Sequence, residues 1–170
     1  MQTQLCEFCL RSGMLCNKCQ EKVRTGVVDD LYMKVAQYLL KIENQNPSLQ
    51  KARLERVIDV GGFLVLVVGR GDRIKFTGGT GRLPRAIGDE FNRRTLIIEE
   101  GVNDRGFLED LFTGQHIVTI NIIWLPDGTT ETRVVLQGRG ARRLSQKRIN
   151  ALTRIAKGVR NMDLRVEYVY

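Results

Sequence analysis

The sequence is poor in the groups on which most catalysis rests. It contains one histidine, His116, and no carboxylate or serine stands at motif spacing from it, so a structural role is expected there. No G-x-x-x-x-G-K-[ST] run and no G-x-G-x-x-G run occurs, although Gly69-Arg70-Gly71-Asp72 and Gly138-Arg139-Gly140 invite the comparison. The adjacent carboxylates Asp89-Glu90 and Glu99-Glu100 form no acid/base dyad. Helical neighbours do not face each other, and strand neighbours point to opposite faces. No catalytic constellation is found, and the chain is expected not to be an enzyme. Aromatic residues make up only 6% of the chain, which disfavours broad base stacking of the RRM kind. Trp124, just before a turn, is expected to pack in a hairpin, with a base-stacking platform as its other use. The longest apolar run, around Phe63 to Val68, is strand-sized and cannot span a bilayer. No basic stretch followed by an apolar one opens the chain, so a soluble, cytoplasmic protein is expected, with no membrane and no small-molecule substrate.

Cysteine is absent after residue 19. Within the first 24 residues lie Cys6-Glu7-Phe8-Cys9 and Cys16-Asn17-Lys18-Cys19, two C-x-x-C pairs separated by six residues. Two residues between cysteines let a tight turn aim both sulfurs at one ion, and two such turns complete a tetrahedral four-thiolate shell. A closed shell of this kind is structural, so one Zn2+ held by Cys6, Cys9, Cys16 and Cys19 is the favoured reading. Two disulfides need an oxidising compartment that nothing else in the sequence indicates; an iron–sulfur site or a redox dithiol uses the same residues. Ser12-Gly13 supplies the reversal between the pairs. A module this small is expected to draw its folding energy from the metal.

What the chain has in excess is positive charge. At 170 residues it is long enough for one domain or two small ones, and 42% hydrophobic with 27% charged residues is an ordinary globular balance. Against 19 acidic residues stand 27 basic ones, a net charge of +8. The stretch from Arg139 to Arg160 carries eight Lys or Arg and no Asp or Glu, as much charge as the whole chain's excess. Its apolar residues Leu144, Ile149, Leu152, Ile155, Ala156 and Val159 fall near the spacing of one helix face. A cationic helix entered through the turn Gly138-Arg139-Gly140-Ala141 suits a polyanion with a phosphate backbone.

Between these two features the elements can be read in order. Asp29 or Asp30 caps a helix to about Ile42, and Asn46-Pro47-Ser48 breaks the chain. A second short helical stretch is expected from Leu49 to Arg56. Val57 to Val60 and Phe63 to Val68 form a hairpin about Gly61-Gly62. Asp72 caps a short turn through Phe76, Gly78-Gly79-Thr80-Gly81 follows, and Arg82 to Phe91 is helical with Pro84 in its first turn. Thr95 to Glu99 is a strand. After Gly101, a helix capped by Asn103 or Asp104 leads to strands at His116 to Leu125 and Thr130 to Leu136. The glycine turn, the basic helix and a last strand, Leu164 to Val169, follow.

The order strand, strand, short helix, GxxG, helix, strand over residues 57–100 resembles a KH domain of the NusA-like, type II sort. The order from residue 102 onward repeats it with a degenerate loop, 60 residues later. Over roughly residues 45–170 the chain is similar to the tandem KH pair of NusA-like factors. With its finger it looks like small archaeal proteins carrying a four-cysteine zinc finger before such domains. The fold class implied is α+β: a four-cysteine zinc finger at 1–25, a helical linker segment at 29–56, KH-like domain 1 at 57–101 and KH-like domain 2 at 102–170. The resemblance implies that a single strand of RNA meets the backbone at the glycine loop while Lys and Arg take phosphates. On this chain those residues are Lys75, Gly78, Gly79, Thr80, Gly81, Arg82 and Arg85, then Gly138, Arg139, Gly140, Arg142, Arg143, Lys147 and Arg148. The expected function is non-catalytic binding of single-stranded RNA, as a NusA-like factor in transcription elongation, termination or antitermination. The alternative is a KH-like scaffold docking on the ribosome or RNA polymerase, touching mainly ribosomal RNA. The missing basic residue at Gly79-Thr80 and the incomplete second loop favour that alternative.

Overall fold

The computed structural model describes every residue except Gly79, Thr80, Gly140 and Ala141. The chain divides into two compact units, Met1–Asp59 with Leu64–Gly101, and Val60–Phe63 with Val102–Tyr170. Both are mixed α+β, and each holds one three-stranded sheet.

In the first unit, helices α1 (Glu7–Ser12) and α2 (Asn17–Arg24) precede α3 (Asp30–Ile42). Asp29 caps α3 by accepting the Tyr32 N–H at 2.8 Å, as its position before the apolar periodicity predicts. A 3-10 turn, Pro47–Lys51, leads into β1 (Leu54–Val60) and β2 (Phe63–Val68). Then come α4 (Arg73–Thr77), α5 (Arg82–Phe91) and β3 (Arg94–Glu99), in a sheet ordered β1-β2-β3. Every residue of the central strand β2 is buried, which explains its unbroken apolar run. Its Leu64, Leu66 and Val68 join a core built with Val35, Ala36 and Leu39 of α3, Phe76 of α4 and Ile87 of α5.

Two sequence expectations change here. The helical stretch expected from Leu49 to Arg56 is a single 3-10 turn followed by strand. Tertiary pairing decides this: Gln2 forms a parallel bridge with Arg53, donating to the Ala52 carbonyl at 2.9 Å and accepting the Leu54 N–H at 2.9 Å. Asp72 does not cap α4 through its side chain. Its carboxylate is buried and takes the Arg53 N–H at 3.0 Å and the Lys75 ammonium at 2.7 Å instead. The cysteine module joins the first unit's core, where Cys9, Leu10 and Cys19 are buried with residues of α3 and β2.

In the second unit, α6 (Asp104–Leu111) is capped by Asn103, which accepts the Gly106 N–H at 2.8 Å. It is followed by β4 (Ile117–Trp124), β5 (Thr130–Gln137), α7 (Gln146–Arg160) and β6 (Leu164–Val169). The sheet order is β4-β5-β6, with β5 antiparallel to β4 and parallel to β6. Register puts Val134, Leu136, Val166 and Tyr168 on one face. The other carries Arg133 against Glu167 at 2.6 Å and Arg165 near Glu131 at 3.7 Å. The hydrogen bond from Arg133 holds the Glu167 carboxyl below the usual carboxylate range. Phe107, Leu108, Leu111, Leu152, Ile155 and Ala156 are buried and supply this unit's helical share of apolar packing. Trp124, expected to pack in the hairpin, is instead 76% exposed at the end of β4, with Ile122 60% exposed beside it on the strand.

Tyr32 ties three segments of the first unit together. Its hydroxyl donates to the Leu54 carbonyl at 2.6 Å and accepts the Gln4 N–H at 2.8 Å. Burial pushes its pKa up to about 12. An acid whose folded pKa exceeds its unfolded value of 10 keeps the folded state fully stabilised below pH 10. That stability is lost as pH rises from 10 towards 12, since the unfolded chain ionises first. Tyr32→Phe is expected to cost about 1–3 kcal/mol by stranding the Gln4 N–H and the Leu54 carbonyl. It should also remove much of the alkaline loss; denaturant melts at about pH 7 and about pH 10.5 check both.

Candidate metal centre and nucleic-acid interface

The four cysteines occupy two equivalent places. Cys6 and Cys16 stand at the N-caps of α1 and α2, in extended conformation, while Cys9 and Cys19 lie one turn inside those helices. Two residues of spacing across a helix start therefore bring both sulfurs of each pair to the same end. The pairs are cross-linked through amides: the Cys6 N–H donates to Cys19 Sγ at 3.3 Å and the Cys16 N–H to Cys9 Sγ at 3.2 Å. All four Sγ atoms lie within 4.8 Å of one another. Sulfurs about 2.3 Å from a central ion in a tetrahedron stand about 3.8 Å apart. The Cys6 and Cys16 sulfurs are 3.8 Å apart. Two disulfides would instead leave sulfurs in bonded pairs, and all four cysteines are free. The donor set fits a metal ion such as zinc.

Electrostatics favour the thiolate form at one of the four. The Cys19 backbone N–H, then side-chain hydrogen bonds from Cys19 and Cys9, lower Cys16 to about 6. The others are raised. Burial leads at Cys19. At Cys9 the Cys16 amide pulls downward but burial and the neighbouring thiols outweigh it. At Cys6 the Cys19 side chain pulls downward and Cys16 outweighs it. Four thiols in so small a volume resist shedding four protons until a cation compensates the charge. Cys6 and Cys16 are exposed, which gives an ion a path in, while Cys9 and Cys19 face the core. Phe8 and Met14 beside them are each 77% exposed, apolar groups on the outside of a small module.

The first glycine loop joins α4 to α5. Gly78 ends α4 at φ 58 and Gly81 begins α5 at φ 69, both in the left-handed region that glycine adopts without strain. Nothing lies within 4 Å of where a Cβ would stand at either position, so the backbone there is open to an approaching group. Gly79 and Thr80 lie outside the described residues. Arg82 and Arg85, in the first turn of α5, are exposed. Lys75 is differently placed: its ammonium is held by Asp72 at 2.7 Å and by the Lys51 carbonyl at 3.1 Å. Sequence reasoning missed Ile74. One turn before Gly78 and bonded to its N–H through the backbone, Ile74 is 71% exposed, an apolar side chain beside an open glycine loop. Its position within an amphipathic turn gave no signal, because four neighbours of α4 do not fix which face is covered.

The second glycine turn is built otherwise. Gly138 is buried, continues the sheet by donating to the Val169 carbonyl at 2.8 Å, and packs so close to Tyr170 that a Cβ would lie 2.8 Å from the ring. Its glycine serves packing. Gly140 lies outside the described residues. The basic stretch is not all helix: α7 starts at Gln146 with Ser145 as its cap, accepting the Arg148 N–H at 3.2 Å. Arg139, Arg142 and Arg143 precede it. Among the described residues, Arg139, Arg142, Arg143 and Lys147 are exposed and pair with no carboxylate. Arg148 is also exposed. At the far end, Lys157 binds Asp163 at 3.1 Å, and Arg160 binds Asp104 at 2.8 Å and lies over the Phe107 ring. The uncompensated charge therefore gathers at the start of α7 and in the loop before it.

No protein-family model matches the sequence, and no curated protein matches it. Among solved structures it is similar to the crystal structure of APE1850, with a TM-score of 0.49 and 16% sequence identity, covering 76% of this chain and 96% of that one. No described helix is long and apolar enough to cross a membrane.

The metal centre yields a direct test. Elemental analysis of the purified protein is expected to give one ion per chain. Stripping it with a chelator should lower the melting temperature of the whole first unit, because Cys9, Leu10 and Cys19 share its core. An unchanged melting curve after the metal is removed would contradict this coupling.

Proposed function

We propose that the chain is a non-catalytic, single-stranded RNA-binding protein whose two units are NusA-like KH domains, the second degenerate, behind a structural zinc finger. The observation that carries the reading is the loop between α4 and α5. Gly78 and Gly81 stand at positive φ with no atom within 4 Å of where a Cβ would be, Arg82 and Arg85 are exposed at the start of α5, and Ile74 is exposed one turn before Gly78. Backbone amides at a helix start favour a phosphate, the arginines add charge, and an apolar side chain suits the face of an unstacked base. Support comes also from the shared order: helix, two strands, a glycine turn, a helix and a third strand, with sheets ordered β1-β2-β3 and β4-β5-β6. The net charge of +8 favours the same class of partner. Zn2+ is the ion we assign to the four thiolates, since a closed sulfur shell without redox chemistry is what it prefers. We place the protein with NusA-like factors of transcription elongation, termination or antitermination, in the cytoplasm.

One observation favours a second reading. Phe8, Met14, Ile122 and Trp124 are exposed apolar groups that contact with RNA phosphates does not require. They suit a scaffold that docks on RNA polymerase or the ribosome while touching RNA elsewhere.

Fluorescence anisotropy of the zinc-loaded protein across a salt series separates the two. Single-stranded RNA should bind more tightly than duplex RNA or the matching DNA. The logarithm of affinity should fall against the logarithm of salt by about 0.7 per phosphate contact. The double variant Arg82→Glu/Arg85→Glu should weaken binding at least about tenfold, roughly the scale of one or two lost charge-assisted bonds. Binding that ignores strandedness and survives this variant would sink the RNA-reader interpretation and leave the docking one.

A further inference from the structure

The second unit lacks an open glycine pair among its described residues, yet it holds one arginine over two aromatic rings with no carboxylate partner among the described residues. The Arg143 guanidinium lies over the Tyr168 ring at 4.8 Å and over the Tyr170 ring at 5.2 Å. Distances under about 6 Å place it in the attractive range for a cation above an aromatic face. Each ring has a contact of its own in this unit. Both belong to the chain at the end of β6, and Tyr170 packs on the bare backbone of Gly138, where any side chain would collide with it. The loop is pinned as well. The Leu144 N–H donates to the Tyr168 hydroxyl at 2.9 Å, and Gln115 donates from Nε2 to the Arg142 carbonyl at 2.9 Å. Arg143 is thus held by its backbone from one side and by two rings at its head, while remaining exposed and without a carboxylate partner among the described residues.

That arrangement has a chemical consequence. A free surface arginine loses rotamer freedom when it binds an anion, and this loss offsets part of the gain. At Arg143 the two ring contacts and the tied backbone reduce that loss. The contact with the rings is electrostatic and consumes none of the guanidinium's N–H donors, which suit paired hydrogen bonds to one phosphodiester. Resting on the reading of the chain as a binder of single-stranded RNA, we infer that Arg143, stacked over Tyr168 and Tyr170, is the phosphodiester receptor of the second unit. Gly138 is then required for the ring beneath the arginine, and Tyr168 both stacks and fixes the loop.

The test uses the full-length, zinc-loaded protein and a fluorescein-labelled single-stranded RNA of mixed sequence. Three variants separate a shaped receptor from charge alone. Arg143→Ala is expected to weaken binding about tenfold, as loss of a charge-assisted bond does. It should also reduce the salt slope by about 0.7, the loss of one phosphate contact on a single strand. Arg143→Lys keeps the charge but neither the fork nor the planar stack. It should lose nearly the same affinity while leaving the salt slope unchanged. Arg154→Lys, at an exposed arginine of α7 outside this stack, should bind like the parent. None of the three changes a buried side chain, and melting curves confirm that each remains folded. If Arg143→Lys binds as the parent does, Arg143 is only a point charge and the inference fails while the RNA reading stands. If the parent itself shows no preference for single-stranded RNA, both fail together.

Discussion

Burial of β2 constrains the first unit more than any other single element. Six consecutive apolar residues, Phe63 to Val68, form its central strand, and all of them are buried. A strand of that kind needs backbone partners on both edges and apolar cover on its faces, and β1, β3, α3, α4 and α5 supply them. The positions of α4 and α5 follow from this. Phe76 and Ile87 reach the same core from two helices only four residues apart. Gly78 ends α4 and Gly81 begins α5 at positive φ, which glycine adopts without strain.

The cysteine module belongs to the same construction. Its inner sulfurs, Cys9 and Cys19, are core residues in their own right, and Leu10 packs with them against α3. Gln37 of α3 donates to the Leu10 carbonyl at 3.1 Å, a further tie. A metal held there would clamp the two helix starts together beside α3. This division of labour, two sulfurs inward and two outward, also explains why the module shows Phe8 and Met14 to solvent: with so few residues, only one side can be buried.

Much of this was legible in the sequence, for identifiable reasons. C-x-x-C spacing, the Asp29 and Asn103 caps, the all-apolar run at Phe63–Val68 and the last strand, Leu164–Val169, are local signals, and the structure follows them. Where reading failed, a distant partner had decided the outcome. Leu54–Arg56 became strand because Gln2 pairs across it, and Asp72 turned from capping α4 to hold the Arg53 amide and Lys75. Helices α1 and α2 were missed because a cysteine at an N-cap gives no propensity signal. Trp124 was misjudged because a strand's pattern tells which residues share a face but not how far the cover on that face extends.

Charge was the least readable feature, although it was the most visible. Counting placed eight cations between Arg139 and Arg160 with no acid among them, but counting along the chain cannot see acids brought in from elsewhere. Asp163 and Asp104 neutralise Lys157 and Arg160, so the far end of α7 is an ordinary ion-paired helix end. Arg139, Arg142, Arg143 and Lys147 are left as a compact cationic group at the other end. The two glycine turns therefore diverge in physical role despite their similar place in the order of elements. In the first, glycine exposes backbone and the nearest lysine is consumed internally by Asp72. In the second, glycine admits an aromatic ring, the ring holds an arginine, and the free charge lies on side chains. Two units can share a sheet order and still differ in the atoms they expose, because sheet order is set by buried residues and the exposed atoms are not.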